Sequence, residues 1–335
     1  MNGKHPSIVI VGAGLCGLMA ATELARHGYL PTVVDKGASV GGRLATRRIG
    51  PGRADHGAQF FTVRDEAFQR WVDRWVAEEL VFHWSTGWSN GSLDVATPDS
   101  YPRYAVRGGM NTLAKAMAAN LEMLGVTIRT GMRVTRIGTD GAGWQIDGEA
   151  GEHLAASALV LTAPVPQALA MLDAGAVTLA EADRAALQRI DYAPCLCGLF
   201  WVTGYVSLPE PGARQTPEAD ITWIADNQRK GISPDARLIT VHAGPAYSRL
   251  HYHATDAQAL APLQAEVESL MAPGAVLREA QLKRWRYALP TAIHPQRYLL
   301  ARDLPALYFG GDAFGGPRVE GAALSGLAIG QAIAT

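Results

Sequence analysis

Residues 7–35 constrain this chain more than any other stretch. They read Ser-Ile-Val-Ile-Val, then Gly12-Ala-Gly14-Leu15-Cys16-Gly17, then an Ala/Leu-rich run to Gly28, then Pro-Thr-Val-Val-Asp35. That order predicts a strand, a glycine turn, a helix, a second strand and an acidic residue, all in one βαβ unit. Each glycine has its own task. Gly12 permits the tight turn, Gly14 lets backbone approach a diphosphate, and Gly17 lets the helix pack closely on the strand. The helix N-terminus offers free N–H groups and partial positive charge to phosphates, with Leu15 and Cys16 at that end. Asp35 can accept hydrogen bonds from ribose hydroxyls. The pattern predicts a dinucleotide-binding fold.

The 335 residues are enough for two domains with a sizeable core. A hydrophobic share of 48% and a charged share of 18% are ordinary for a globular enzyme. A net charge of −1 argues against a nucleic-acid partner. Three cysteines, Cys16, Cys195 and Cys197, make no disulfide framework. Cys195-Leu-Cys197 lacks the second half of a zinc site, so packing is expected and no metal. The apolar run near the N-terminus carries the fingerprint glycines and reads as strand and helix, not as a leader. No segment approaches the roughly 18 apolar residues of a membrane span. The expectation is a soluble, cytoplasmic protein without membrane partner, its oligomeric state left open.

Further along, residues 55–61 read as a strand. Thr62-Val-Arg-Asp65 resembles a capping box ahead of a helix bearing Phe68, Trp71, Val72 and Trp75. Residues 84–104 read as hairpins and loops. A helix is expected from about Gly109, with Leu113, Met117 and Leu121 on one side. Short strands are expected over 126–130, 133–137 (which includes Val134), 144–146 and 158–164. Residues 165–298 mix helical stretches (181–187, 257–271) with strands (198–202, 238–242). The end returns to the opening texture: Ala306-Leu-Tyr-Phe309, Gly310-Gly311-Asp312, then a Gly/Ala-rich helix from about Glu320. The fold class is therefore α/β: a discontinuous Rossmann-type domain (1–62, 106–164 and 299–335) with an inserted α+β substrate domain (63–105 and 165–298).

Gly41-Gly42-Arg43 after the acidic residue, with a terminal Gly-Gly-Asp before a helix, resembles the flavin-containing amine oxidase superfamily. A closer resemblance is to bacterial renalase-like oxidoreductases. It rests on Asp35-Lys36, Gly41-Gly42-Arg43, Asp55-x-Gly57-Ala58-Gln59-x-Phe61-Thr-x-Arg64-Asp65, Gly109-Met110, Thr162-Ala-Pro164, Trp285-x-Tyr287-Ala288 and Arg318-Val319-Glu320-Gly321-Ala322-x-x-Ser325-Gly326. Two positions depart from it or have no family counterpart: Ala313 follows Asp312 where some relatives carry Trp, and His56 has no assigned place.

The resemblance implies noncovalent FAD, and no cysteine lies near the C-terminal helix to form a thioether. It places Gly12, Gly14, Leu15, Cys16, Gly17, Asp35, Lys36, Gly41, Gly42, Arg43, Gln59, Phe60, Val134, Gly311, Asp312, Val319, Glu320, Gly321 and Ala322 at the cofactor. The helix N-terminus at Val319–Ala322 would stabilise negative charge at flavin N1 and O2. The resemblance further implies a small-molecule substrate, a 2- or 6-dihydro isomer of NADH or NADPH, with O2 as acceptor. Hydride loss from such a ring yields an aromatic cation, so no base is needed. Trp285 and Tyr287 alternate on a strand-like segment and share a face; with Phe60, Tyr192 and Trp223 they could form an aromatic wall. Asn227, Lys230, His242 and Arg249 are polar candidates for substrate contact. No second G-x-G-x-x-G follows a strand, so a nicotinamide nucleotide would bind as substrate. An amine oxidase or desaturase on the same scaffold, or a flavin-binding protein without turnover, are the alternative readings.

Overall fold

The computed structural model describes residues 6–88 and 97–335. It divides into two compact units. One comprises Met1–Gly42, Ala114–Asp191 and Pro290–Thr335; the other comprises Arg43–Leu113 and Tyr192–Leu289.

The first unit is built on a six-stranded sheet. Its centre is Ile8–Val11, all four residues buried. This strand lies parallel to Thr32–Val34 on one side and to Ala158–Leu161 on the other. Thr127–Arg129 extends the first side, and Leu307–Phe309 with Leu299–Leu300 the second. Ile-Val-Ile-Val and Ala-Leu-Val-Leu are uninterrupted apolar runs, as strands covered on both faces require. The fingerprint helix, Leu15–Arg26, and the C-terminal helix, Arg318–Ala334, pack against each other through glycine. A Cβ at Gly326 would lie 2.2 Å from the Cys16 carbonyl oxygen, and one at Gly330 would lie 2.6 Å from Glu23 Cβ. A three-stranded antiparallel sheet, Val134–Thr139, Trp144–Gly148 and His153–Ala156, completes this unit with the helices Val165–Ala174 and Glu181–Gln188.

The second unit is organised around a five-stranded sheet whose long strand Asp191–Thr203 is covered on both faces. Leu196, Phe200 and Val202 join a core with Leu263 and Val267 of the helix Asp256–Ser269. Cys197 and Leu199, on the opposite face, pack with Ile49, Ala54 and Leu238. Alternation therefore puts the neighbouring thiols of Cys195 and Cys197 on one face, where burial pushes Cys195 up to about 12 and Cys197 also upward. They are packing groups, not thiolates.

Ile49 and Ala54 belong to the hairpin Thr46–Ile49/Gly52–Asp55. Its buried face explains why residues 43–62 group with the second unit, whereas the sequence boundary lay at residue 62. Three other expectations shift. The strand expected over 55–61 ends at Asp55. The helix expected after Thr62 is Glu66–Ala77, and its cap is Asp65, which accepts from the Ala67 N–H at 2.8 Å. The helix expected from Gly109 is Asn111–Met123. Phe68, Val72 and Trp75 are buried as expected, whereas Trp71 is half-buried. Val81–Trp88 and Thr97–Val106 pair antiparallel, and the intervening 89–96 lie outside the described residues.

Candidate functional site

In the first unit the three fingerprint glycines separate by cause. Gly12 has φ +116°, a conformation that favours glycine, and its Cβ would meet Thr162 Oγ1 at 2.3 Å. A Cβ on Gly17 would lie 1.9 Å from the Gly12 carbonyl oxygen, so the helix could not reach the turn. Gly14 is different. Its backbone is extended, φ −74° and ψ 179°, which any residue adopts. A Cβ there would meet nothing within 4 Å. No packing within the protein accounts for glycine at this position. Open space at a helix N-terminus is what a diphosphate approaching the backbone requires, and the residues therefore fit a dinucleotide.

The surrounding loops are tied together. Asp35 accepts from Ala13 N–H at 2.8 Å and from Gly37 N–H at 2.7 Å, so it braces the glycine turn with both carboxylate oxygens. Gly41 N–H donates to the Ala13 carbonyl, and Gly42 sits 3.5 Å, measured from its missing Cβ, from Gly14 Cα. Lys36 is exposed and donates to Gln167. Leu15 and Val134 are buried. Ser325, fully buried on the C-terminal helix, accepts from Gly311 N–H at 2.9 Å and lies 3.6 Å from Cys16 Sγ. One hydroxyl thus links the fingerprint helix, the Gly-Gly-Asp turn and the last helix. Asp312 and Val319 are buried, and Ala322 and Glu320 are half-buried. Gly321 is forced by backbone, since its Cβ would fall 1.7 Å from the Gly316 carbonyl oxygen.

In the second unit a polar network centres on Asp55. Its carboxylate accepts from Lys230 Nζ at 2.6 Å, Thr46 Oγ1 at 2.5 Å and Met110 N–H at 2.8 Å. The Lys230 and Asp55 side chains have no exposure at all. Burial lowers the lysine's affinity for its proton, and Asp55 opposes that shift. Asn227 donates to the Leu238 carbonyl and to Thr240 Oγ1, and its own oxygen accepts from Asp55 N–H. Thr240 Oγ1 donates to the Asp55 carbonyl. Gln59 donates to the carbonyls of Asp55 and Gly57 and lies 3.5 Å from His242 Nε2. Burial, then the Lys230 charge, holds His242 down at about 4.

The structure thus gathers Asn227, Lys230 and His242 from the candidate list, with Gln59. The hydrogen-bonding capacity of Asn227 and Lys230 is directed into the protein. Buried polar atoms of this unit without a partner among the described residues include His56 Nδ1, Gln59 Oε1 and the indole nitrogens of Trp84, Trp88 and Trp223. His56 stacks on Trp285 (ring centroids 5.3 Å apart), and the Trp285 indole N–H donates to the His56 carbonyl at 2.7 Å. Burial first, then Lys283, Arg47 and His242, pushes the His56 imidazole down to about 3.

The other candidate aromatics fall into two groups. Tyr287 meets Tyr192 edge-on at 5.6 Å, with Arg43 donating to the Tyr287 and Ala288 carbonyls. Phe60 and Trp223 pack instead with Trp84 and Trp88, whose ring centroids are 4.6 Å apart. Lys230 lies 5.1 Å from the Trp84 ring centre and Arg103 5.2 Å from that of Trp88. Arg249 is exposed on the short helix Pro245–His251. Sequence reasoning did not single out Asp55 as the partner of Lys230, nor Trp84 and Trp88 as partners of Trp223. The even spacing of the two tryptophans on one strand was the available signal for a shared face. Among the described residues no cluster of His, Cys, Asp and Glu is placed to hold a metal, and no helix is long and apolar enough to cross a membrane.

Comparison with known proteins agrees with this geometry. The family described as flavin containing amine oxidoreductase matches residues 80–334, and a NAD(P)-binding Rossmann-like domain matches residues 10–75. Renalase of Mus musculus is 24% identical, over 96% of this chain and 97% of that protein. Among solved structures, the CLA-producing fatty acid isomerase from P. acnes superposes with a TM-score of 0.67 at 14% identity, covering 96% of this chain and 97% of that one. Putrescine oxidase bound to putrescine gives 0.65 at 14% identity, covering 98% and 99%. These two likenesses concern the fold. The chain belongs to the flavin containing amine oxidoreductase family, as a renalase-like, flavin-dependent oxidoreductase within it.

Proposed function

We propose that this protein is an FAD-dependent oxidase of isomeric dihydronicotinamide nucleotides. It takes a hydride from the 2- or 6-dihydro form of NAD(P) and releases NAD(P)+. In this reading the first unit is the domain for noncovalently held FAD and the second unit the substrate domain. A bound FAD supplies the hydride acceptor and the route by which the electron pair reaches O2, giving hydrogen peroxide. Gly14 and the N–H groups of the fingerprint helix would receive the diphosphate. Each Asp35 carboxylate oxygen accepts one backbone N–H and keeps acceptor capacity for a ribose hydroxyl, and Asp312 and the Val319–Ala322 helix start would complete the cradle.

One observation carries the substrate class. Burial in the second unit holds the imidazoles of His56 and His242 neutral at neutral pH. His56 is pushed down to about 3 and His242 to about 4, so neither imidazole is a strong base. Lys230 is bound to Asp55 without exposure. A dihydropyridine needs no base, because hydride loss alone makes the ring aromatic. An amine cage is less well served: Lys230 and Arg103 already sit beside the rings of Trp84 and Trp88. We read Asn227 and Lys230 as holding the 55–59 turn, with Gln59 on that turn kept as a cofactor residue and His242, Trp285 and Tyr287 on the substrate side.

The test is anaerobic stopped-flow absorbance at the oxidised flavin band, mixing the protein separately with 6-dihydroNAD, NADH and a panel of amines. Fast bleaching by the 6-dihydro isomer is expected. Bleaching by an amine with none from that isomer would replace this reading with an amine oxidase.

A further inference from the structure

We propose that the second unit carries an anion subsite, formed by Arg47 and Lys283 beside His56, that takes the phosphate groups of the nucleotide substrate. The proposal rests on the oxidase reading for the identity of its ligand, but its geometry is independent of it. The hairpin register pairs Arg47 with Ala54, and His56 N–H donates to the Ala45 carbonyl at 3.0 Å. Arg47 and His56 are therefore diagonal neighbours on one face of the hairpin. Lys283 approaches the same spot from the strand Val276–Ala292. It alternates in phase with Trp285 and Tyr287, and its Nζ lies 5.4 Å from the centre of the Trp285 ring that stacks on His56.

Three features point to a ligand. Neither Arg47 nor Lys283 has a carboxylate within ion-pair distance among the described residues, although other basic groups of this unit do, such as Arg284 with Asp256 and Arg214 with Glu266. His56 is only 8% exposed and its buried Nδ1 has no partner. Lys283 and Arg47 both bear on that imidazole, so positive potential is concentrated there. Two unpaired cations, an orphaned ring nitrogen and an aromatic platform are the chemistry that recognises a phosphate carried on a flat heterocycle.

The experiment compares wild type, Arg47→Ser, Lys283→Met and the charge-keeping Lys283→Arg. Each is titrated with 6-dihydroNAD and with the phosphate-free 6-dihydronicotinamide riboside, and calorimetry measures binding of inorganic pyrophosphate. Each loss of charge is expected to raise the Kd for the dinucleotide about tenfold, as expected for one charge-assisted hydrogen bond. The limiting reduction rate and the riboside titration should stay unchanged, and Lys283→Arg should behave as wild type. Dinucleotide and pyrophosphate affinities that do not respond to either variant, or a riboside weakened equally, would overturn the subsite. Charge-dependent pyrophosphate binding in a protein that oxidises no dihydronicotinamide would keep the subsite and remove the oxidase reading. Oxidation with no charge dependence would do the reverse.

Discussion

Replacing Lys230 by Met should destabilise the second unit by about 3 kcal/mol, and the reason is the carboxylate left behind. Lys230 Nζ and Asp55 Oδ2 are 2.6 Å apart and neither side chain is exposed. Removing one member of such a pair costs about 3–5 kcal/mol, because the other charge stays buried and uncompensated. Asp55 would keep two donors, Thr46 Oγ1 and Met110 N–H, which argues for the lower end. Methionine nearly conserves the volume, so the cavity contribution is small. Adding Asp55→Asn removes the stranded charge and should restore about 2 kcal/mol, a coupling that only a double-mutant cycle isolates. The assay is urea unfolding followed by tryptophan fluorescence. Every tryptophan except Trp144 lies in the second unit, so the signal reports that unit. A loss below about 1 kcal/mol, or a double variant no better than the sum of its parts, would refute the argument from burial. A raised KM with unchanged urea midpoint would instead place Lys230 against substrate.

Gly14→Val should abolish flavin retention while costing the apoprotein only about 1 kcal/mol through a poorer N-cap, read from the yellow colour after gel filtration and from urea unfolding. Gly17→Ala should do the opposite in order, destabilising the fold itself, because its Cβ would lie 1.9 Å from backbone; an unchanged melting temperature would contradict the packing role. Asp312→Ala should weaken flavin retention, and a fully loaded variant would count against Asp312 as a cofactor residue. Stability should fall on acidification from pH 6.5 toward 3, because the unfolded chain protonates His56 and His242 at their ordinary value while the folded chain resists until about 3 and 4. Above pH 7 both are neutral in either state and contribute no slope. Urea midpoints across pH 4–8 for wild type and His56→Gln check this: the variant should lose about one proton's worth of slope.

What sequence could show here was what is local. The glycine fingerprint, the paired apolar strands and the Gly-Gly-Asp turn are short-range patterns, and their elements are where the spacing put them. Caps are local too, yet Thr62 was read for Asp65 because two capping residues stood within one turn and only backbone geometry decides between them. The 46–55 hairpin was harder. Ile49 and Ala54 look like any hairpin's buried face, and the chain does not say that Cys197, Leu199 and Leu238 cover it. Lys230 stood out only as one of several polar candidates for substrate contact. That Asp55 pairs with it is a tertiary fact, and it underlies the proposed role of Lys230 as a support for the turn that carries Gln59 and His56. Likewise Trp285 and its strand neighbour Lys283 are local in the chain, but the ring that stacks on Trp285, His56, comes from elsewhere in the unit.

The glycine seam between the first and last helices has a consequence for how the molecule is made. The fingerprint helix is translated before the helix that supplies Gly326 and Gly330 to its face. Its cover is translated only after every segment in between. The central strand Ile8–Val11 likewise waits for Ala158–Leu161. Until then the nascent chain presents an apolar strand edge and an uncovered small-residue helix, surfaces that chaperones hold and that aggregation exploits. Folding of this unit is thus closed from its far end. Loss of a few residues from the C-terminal helix should harm yield and flavin loading far more than an equal cut in an exposed loop.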